Sequence, residues 1–194
     1  MRVSVPPRSL TRVESGQTSS EPRRFWREVT SAGALSAAVA RLPEQQPVAE
    51  TVPFILVVNR QRRVRLPLED LQRFAEQALE RVLASPGALL PPEINVALVS
   101  DRKICELHRD FMQLRTATDV ITFQHGEIVL SVDTAGRQAA EYGTCLVREL
   151  KLYLLHGLLH LRGYDDRTTE TRREITALQT CLLAELIRDG AAPP

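Results

Sequence analysis

His156-Gly157-Leu158-Leu159-His160-Leu161-Arg162-Gly163-Tyr164-Asp165-Asp166 decides the reading of this chain, because it sets two metal-ligand side chains on a helix and a third on the turn that follows. Histidines at i and i+4 lie one turn apart on one helix face, so two imidazole nitrogens converge on a single ion at about 2.0–2.1 Å. A helix over about 148–161 then meets Gly163, which tolerates positive φ and lets the chain reverse. Asp166, six residues after His160, swings back as the third ligand. Three protein ligands leave one position open, the arrangement of a catalytic zinc whose bound water has a pKa of roughly 7. His156, His160 and Asp166 are therefore the candidate catalytic residues, acting through a metal-bound water.

An isolated pair of histidines on a leucine-rich helix is satisfied by local hydrogen bonds. The glycine turn and the acidic pair Asp165-Asp166 turn the reading toward a metal. The spacing is that of the metzincin proteases, whose second motif position is a glutamate general base. That position is Gly157 here, so peptide hydrolysis by the usual route lacks its base, while the ligand layout remains.

Composition frames the rest. The chain has 194 residues, 43% of them hydrophobic, enough for one domain with its own core, and no apolar run reaches membrane-spanning length. Cys105, Cys145 and Cys181 are odd in number and widely spaced, which predicts buried free thiols in a reducing cytoplasm rather than bridges or zinc ligands. A formal net charge of +1 excludes a strong global attraction to nucleic acid; basic residues can still be unevenly distributed. Arginine dominates, with Lys103 and Lys151 the only lysines, which suits bidentate phosphate contacts and equally a codon bias.

Residues 1–52 read as an N-terminal extension, largely disordered because Met1 to Arg24 is rich in Ser, Thr, Pro and Arg, with a short amphipathic helix at 25–42 ended by Pro43. Residues 53–190 read as a single domain. Phe54–Asn59 predicts a buried strand, Leu66–Leu83 an amphipathic helix, and Ile94–Val99 a second strand leading into a helix capped by Ser100 and bearing Ile104, Leu107 and Phe111. Asp119–Phe123 and Glu127–Val132 predict a hairpin about Gln124-His125-Gly126; the motif helix comes next, then a last helix from about Thr168 to Ile187. The expected architecture is an α/β fold of the α+β kind: a mixed sheet of about four strands packed with helices, carrying a metzincin-like metal-site helix and turn.

These residues resemble the YbeY family of bacterial endoribonucleases, over roughly Phe54 to the C-terminus. The run from His156 through Asp165 follows the family's His-Gly-x-Leu-His-Leu-x-Gly-Tyr-Asp-His signature, with Asp166 in place of the final histidine. Thr118-Asp119-Val120-Ile121-Thr122-Phe123 is similar to its Thr-Asp-Val-Leu-Ser-Phe strand, and Gly126-Glu127-Ile128-Val129-Leu130-Ser131 to its next strand. The resemblance implies a metal-dependent, single-strand-specific endoribonuclease acting in small-subunit ribosomal RNA maturation and ribosome quality control. It implies one Zn²⁺ per chain, RNA as substrate, and the ribosome or its assembly factors as partners, in the cytoplasm and without a membrane.

Carboxylate in the third ligand position shifts preference toward harder ions, with Mn²⁺ as the alternative metal. Where the family carries a phosphate-holding arginine this chain has Met112; Arg109 and Arg115, each three residues away, are the RNA-binding candidates, and His108 stands in place of the family's asparagine. Asp119 and Asp165 are candidates for supporting the ligands or for local turns. Met112 also raises the alternative of a catalytically weak, ribosome-associated RNA-binding protein with a structural metal. A hydrolase acting on another substrate rests on the open site alone.

Overall fold

The computed structural model describes residues 11–13, 52–112 and 118–190. The elements are β1 (Thr11–Val13), β2 (Phe54–Asn59), α1 (Leu68–Ala84), β3 (Glu93–Val99), α2 (Asp101–Met112), β4 (Val120–Phe123), β5 (Glu127–Ser131), α3 (Val132–Tyr142), α4 (Leu146–Leu161) and α5 (Thr169–Gly190). The strands form one mixed sheet in the order β1-β4-β5-β3-β2; β4 and β5 pair antiparallel and the other neighbours pair parallel.

The two-residue period of the strands sends Ile55, Val57, Ile94, Val96, Leu98, Val120, Ile128 and Leu130 into one core. Four helices close that core, α3 through Val132 and Ala135. α1 contributes Leu71, Phe74, Ala75, Ala78, Leu79 and Val82, spaced three and four apart along one face. α5 adds Ile175, Leu182, Leu183 and Leu186. α4 lies between them and is buried from Tyr153 to Leu161, packed on α1, α3, α5 and both hairpin strands. A helix buried on every side over this stretch requires such a surround, and its histidines sit in the close-packed interior.

The β-α-β-α order, the hairpin, the motif helix and the last helix match the expectation, and four differences have local causes. β2 is an edge strand, with Phe54 and Leu56 exposed on the face away from the core, rather than a fully buried one. Its open edge is covered by Gln72, whose Oε1 accepts from Val57 N at 2.8 Å and whose Nε2 donates to Ile55 O at 2.8 Å. α3 stands where no helix was expected; Ser131 caps it by accepting from Thr134 N, and Gly143 ends it with φ 65°. β1 adds a fifth strand at Thr11–Val13, where composition suggested disorder, because backbone pairing along the β4 edge depends little on side-chain type. The rest of the expected 1–52 extension up to residue 51, including the helix at 25–42, lies outside the described residues. The cysteines are free, but none is fully buried: Cys105 is half-buried, and Cys145 at the start of α4 and Cys181 on the solvent side of α5 are exposed. Among the described residues no helix is long and apolar enough to cross a membrane.

Candidate metal centre

His156 and His160 stack one turn apart on α4 with ring centroids 4.3 Å apart and planes at 88°. The helix ends immediately after them in a pair of crossed hydrogen bonds: Tyr164 N donates to Leu159 O at 3.1 Å and Gly163 N to His160 O at 3.0 Å. This is the Schellman arrangement, and it requires the left-handed backbone that Gly163 supplies at φ 101°. The reversed chain carries Asp166 back to the histidines. One ligand atom from each of His156, His160 and Asp166 lies within 4.8 Å of the other two, and all three residues are buried.

Each imidazole is oriented from behind. His156 Nδ1 lies 2.9 Å from Gln179 Oε1, and Gln179 Nε2 donates to Leu152 O at 3.1 Å, which fixes the amide so that its oxygen faces the ring. His160 Nδ1 lies 2.9 Å from the Tyr164 carbonyl, an acceptor only. In both rings Nδ1 therefore carries the proton and Nε2 carries the lone pair. Burial, reinforced by the neighbouring His160, pushes the His156 pKa down to about 3 against the opposing hydrogen bond that His156 donates to Gln179, so the ring is neutral at physiological pH. His156 Nε2 is buried and has no hydrogen-bond partner. A buried lone pair without a donor carries a desolvation cost that a bound cation would remove. Two imidazoles presenting Nε2 and a carboxylate are a donor set for zinc or manganese, so the residues present fit a divalent metal.

Gly157, where the metzincins carry their glutamate, lies where the helix backbone meets the sheet. A Cβ there would sit 2.7 Å from Ile128 Cγ2 and 3.2 Å from Thr122 Oγ1. The same close approach that embeds α4 in the core leaves no room for a base at this position.

The remaining candidates fall at varying distance from this centre. Asp165 Oδ1 accepts from Asp166 N at 2.9 Å and its Oδ2 from Arg167 Nε at 2.7 Å. Arg167 holds the Asp165 carboxyl below its ordinary pKa, and the residue shapes the turn that delivers Asp166. Asp119 is buried at the start of β4, where Oδ1 accepts from Val120 N at 3.0 Å and from Thr118 Oγ1 at 3.1 Å. Arg109 sits near the end of α2, half exposed and paired with Asp110 at 2.9 Å. Arg115 lies outside the described residues, as does the side chain of Met112. His108 is buried; His125 is exposed in the hairpin turn, 2.5 Å from Glu127. Sequence spacing did not reveal Gln179, 23 residues beyond His156 on another helix. Its position on the apolar side of the last helix, beside Leu178 and Leu182, was the one available signal.

Comparison with known proteins gives the family of the chain. The family model described as Endoribonuclease YbeY matches residues 56–187. A relative of that name from Moorella thermoacetica is 34% identical over 135 residues, which is 60% of this chain and 86% of the relative. Another, from Symbiobacterium thermophilum, is 36% identical over 135 residues, 61% of this chain and 85% of the relative. A solution structure of a Thermotoga maritima protein superposes with a TM-score of 0.52 at 26% identity, covering 70% of this chain and 91% of that one. With the match extending from β2 into α5 and enclosing the whole His-His-Asp centre, the chain belongs to the YbeY family.

Proposed function

We propose that this protein is a metal-dependent endoribonuclease that hydrolyses phosphodiester bonds in single-stranded RNA, acting in small-subunit ribosomal RNA maturation and ribosome quality control in the cytoplasm. The observation that carries the reading is the buried convergence of His156, His160 and Asp166 within 4.8 Å. The names of the relatives support RNA as the substrate. The ribosome and its assembly factors are the partners this reading implies.

His156 and His160 would hold one Zn²⁺ through Nε2 and Asp166 through a carboxylate oxygen, with Mn²⁺ as the alternative favoured by the carboxylate. A cation bound there supplies Lewis acidity toward a phosphoryl oxygen and toward water. Gln179 and the Tyr164 carbonyl keep both rings in the ligating tautomer. The buried walls of α4 keep bulk water from the ligands, which strengthens every charge interaction at the centre. With Gly157 in place of an acidic residue, the motif provides no carboxylate base, so the cation and the phosphate's own oxygens carry more of the reaction. Arg109 and Arg115 are proposed to neutralise backbone phosphate. The pairing of Arg109 with Asp110, together with Met112 where relatives are expected to carry arginine, favours the second reading, an RNA-binding protein of weak activity with a structural metal.

Elemental mass spectrometry of the wild type beside His156→Ala and Asp166→Ala, with cleavage of a single-stranded ribosomal RNA fragment, tests the proposal. One equivalent of metal, lost in both variants together with metal-dependent cleavage, is expected. Metal retained by the wild type without cleavage selects the second reading. A wild type that takes up no metal under replete conditions overturns both.

A further inference from the structure

We propose that Arg162 is a positioning residue for the metal centre, pre-ordering the turn that carries the third ligand by fastening it to the C-terminal end of α1; the inference rests on the metal-binding reading above. Arg162 Nη1 donates to Ala88 O at 2.7 Å, Nη2 to Ser85 O at 2.6 Å and to Leu83 O at 3.1 Å, and Nε to Ser85 O at 3.1 Å. Leu83 lies in the last turn of α1 and Ser85 is the residue that ends it, where carbonyls lack helical partners and the helix dipole is negative. A planar guanidinium with five donors reaches these two carbonyls and Ala88 O in the loop beyond, in a fixed fork that an ammonium group lacks.

The fastening continues on both sides of Arg162. Ala88 N donates to Arg162 O at 2.7 Å, and Tyr164 Oη donates to Pro86 O at 3.2 Å. Gly87 packs so closely that a Cβ on it would run into the Arg162 carbonyl oxygen and approach its Cγ to 2.6 Å. The residues tied down in this way are those whose placement matters: Arg162 follows His160 by two, Tyr164 supplies the carbonyl behind His160, and Asp166 follows Tyr164 by two. Without the clamp, the turn would have to be ordered when the metal binds, and that entropy would be subtracted from the affinity. None of these contacts touches a ligand atom, so the effect acts through Tyr164 and Asp166.

The test measures Zn²⁺ affinity by competition with a chromophoric chelator, together with the d–d absorption spectrum of the Co²⁺-loaded protein. It compares wild type, Arg162→Lys, Arg162→Ala and Gly87→Ala. Thermal unfolding of the metal-free forms is followed in parallel. The expected result is a graded loss of affinity, roughly 10-fold or more for Arg162→Ala and less for Arg162→Lys. A broadened or shifted cobalt spectrum should accompany it, and Gly87→Ala should weaken binding in the same direction. If the variants unfold at lower temperature but bind zinc within about twofold of wild type with an unchanged cobalt spectrum, Arg162 is merely structural and the inference is wrong. Wild type that binds neither ion refutes the metal reading itself, whereas wild-type binding with unaffected variants refutes only the role of Arg162. Should Arg162→Ala fail to fold, Arg162→Lys and Gly87→Ala still decide the outcome.

Discussion

Gly157 and Gln179 show how single residues define the centre without ligating anything. At Gly157 an added methyl group would press on the Ile128 side chain, which is itself fully buried between β5 and α4. Gly157→Ala is expected to cost about 1–3 kcal/mol from overpacking, offset by roughly 1 kcal/mol from alanine's helix propensity, for a net loss of up to about 2 kcal/mol. Urea denaturation reads this as a lower midpoint at unchanged slope, and an unchanged midpoint would mean that the helix moves off the sheet freely. Gln179→Leu keeps the volume of the side chain but removes the acceptor behind His156 Nδ1. Metal affinity should fall by about 10-fold while the circular dichroism spectrum stays as it was; equal affinity would reduce Gln179 to packing. Both residues were visible in the sequence, Gly157 as a departure from the metzincin pattern and Gln179 only as one position on an apolar face. The close approach that explains the first, and the 23-residue separation that hides the second, belong to helix packing.

Among the elements, α2 and α3 are tied together through two carboxylates, Asp101 and Asp133. Asp101, the first residue of α2, accepts from Ser131 Oγ and Arg137 Nη1 at 2.5 Å and from Thr134 Oγ1 at 2.8 Å, while Asp133 Oδ2 accepts from Asp101 N at 2.9 Å. Burial raises the Asp101 pKa, but the hydrogen bonds from Arg137, Ser131 and Thr134 outweigh it and leave the carboxyl below its ordinary value. A depressed carboxyl pKa contributes stability that is present above the unfolded-state value and is lost as pH falls through the folded-state value. Asp101→Asn should therefore lower stability at neutral pH by about 1 kcal/mol, a small figure because the Arg137 side of the network is solvent-exposed. The loss of stability on acidification below roughly pH 4 should also become shallower than in wild type. Denaturation midpoints from neutral to acid pH check this, and parallel curves for the two proteins would rule out the carboxylate's contribution. β2 to β5, α1, α2, α4 and α5 were legible because each carries its own period and end signals. α3 was overlooked although Ser131 and Gly143 mark both its ends, since its buried side is small, limited to Val132, Thr134, Ala135 and Ala139.

At the scale of the whole molecule, metal binding and folding should be linked, because the ligands lie on α4 and on the turn that α1 and α5 hold in place. A cation that binds the folded chain at a free concentration 100-fold above its dissociation constant adds about 2.7 kcal/mol of stability. Zn²⁺ should raise the melting temperature by several degrees and a chelator should reverse the shift. A melting temperature indifferent to both would contradict a buried site formed only in the folded state. What the sequence by itself determined is whatever depends on neighbours along the chain: the helix-turn spacing of His156, His160 and Asp166, the glycine that reverses the backbone, and the two- and three-to-four-residue periods of the main elements. The tertiary structure alone decided the rest: the edge pairing of β1, the exposure of Cys145 and Cys181, the Gln179 acceptor, and the Arg162 clamp on carbonyls as many as 79 residues away. The reason is that covalent geometry sets which side chains share a face within one element, whereas contacts between elements follow from how buried surfaces pack together. Packing of that kind leaves no periodic trace in the sequence.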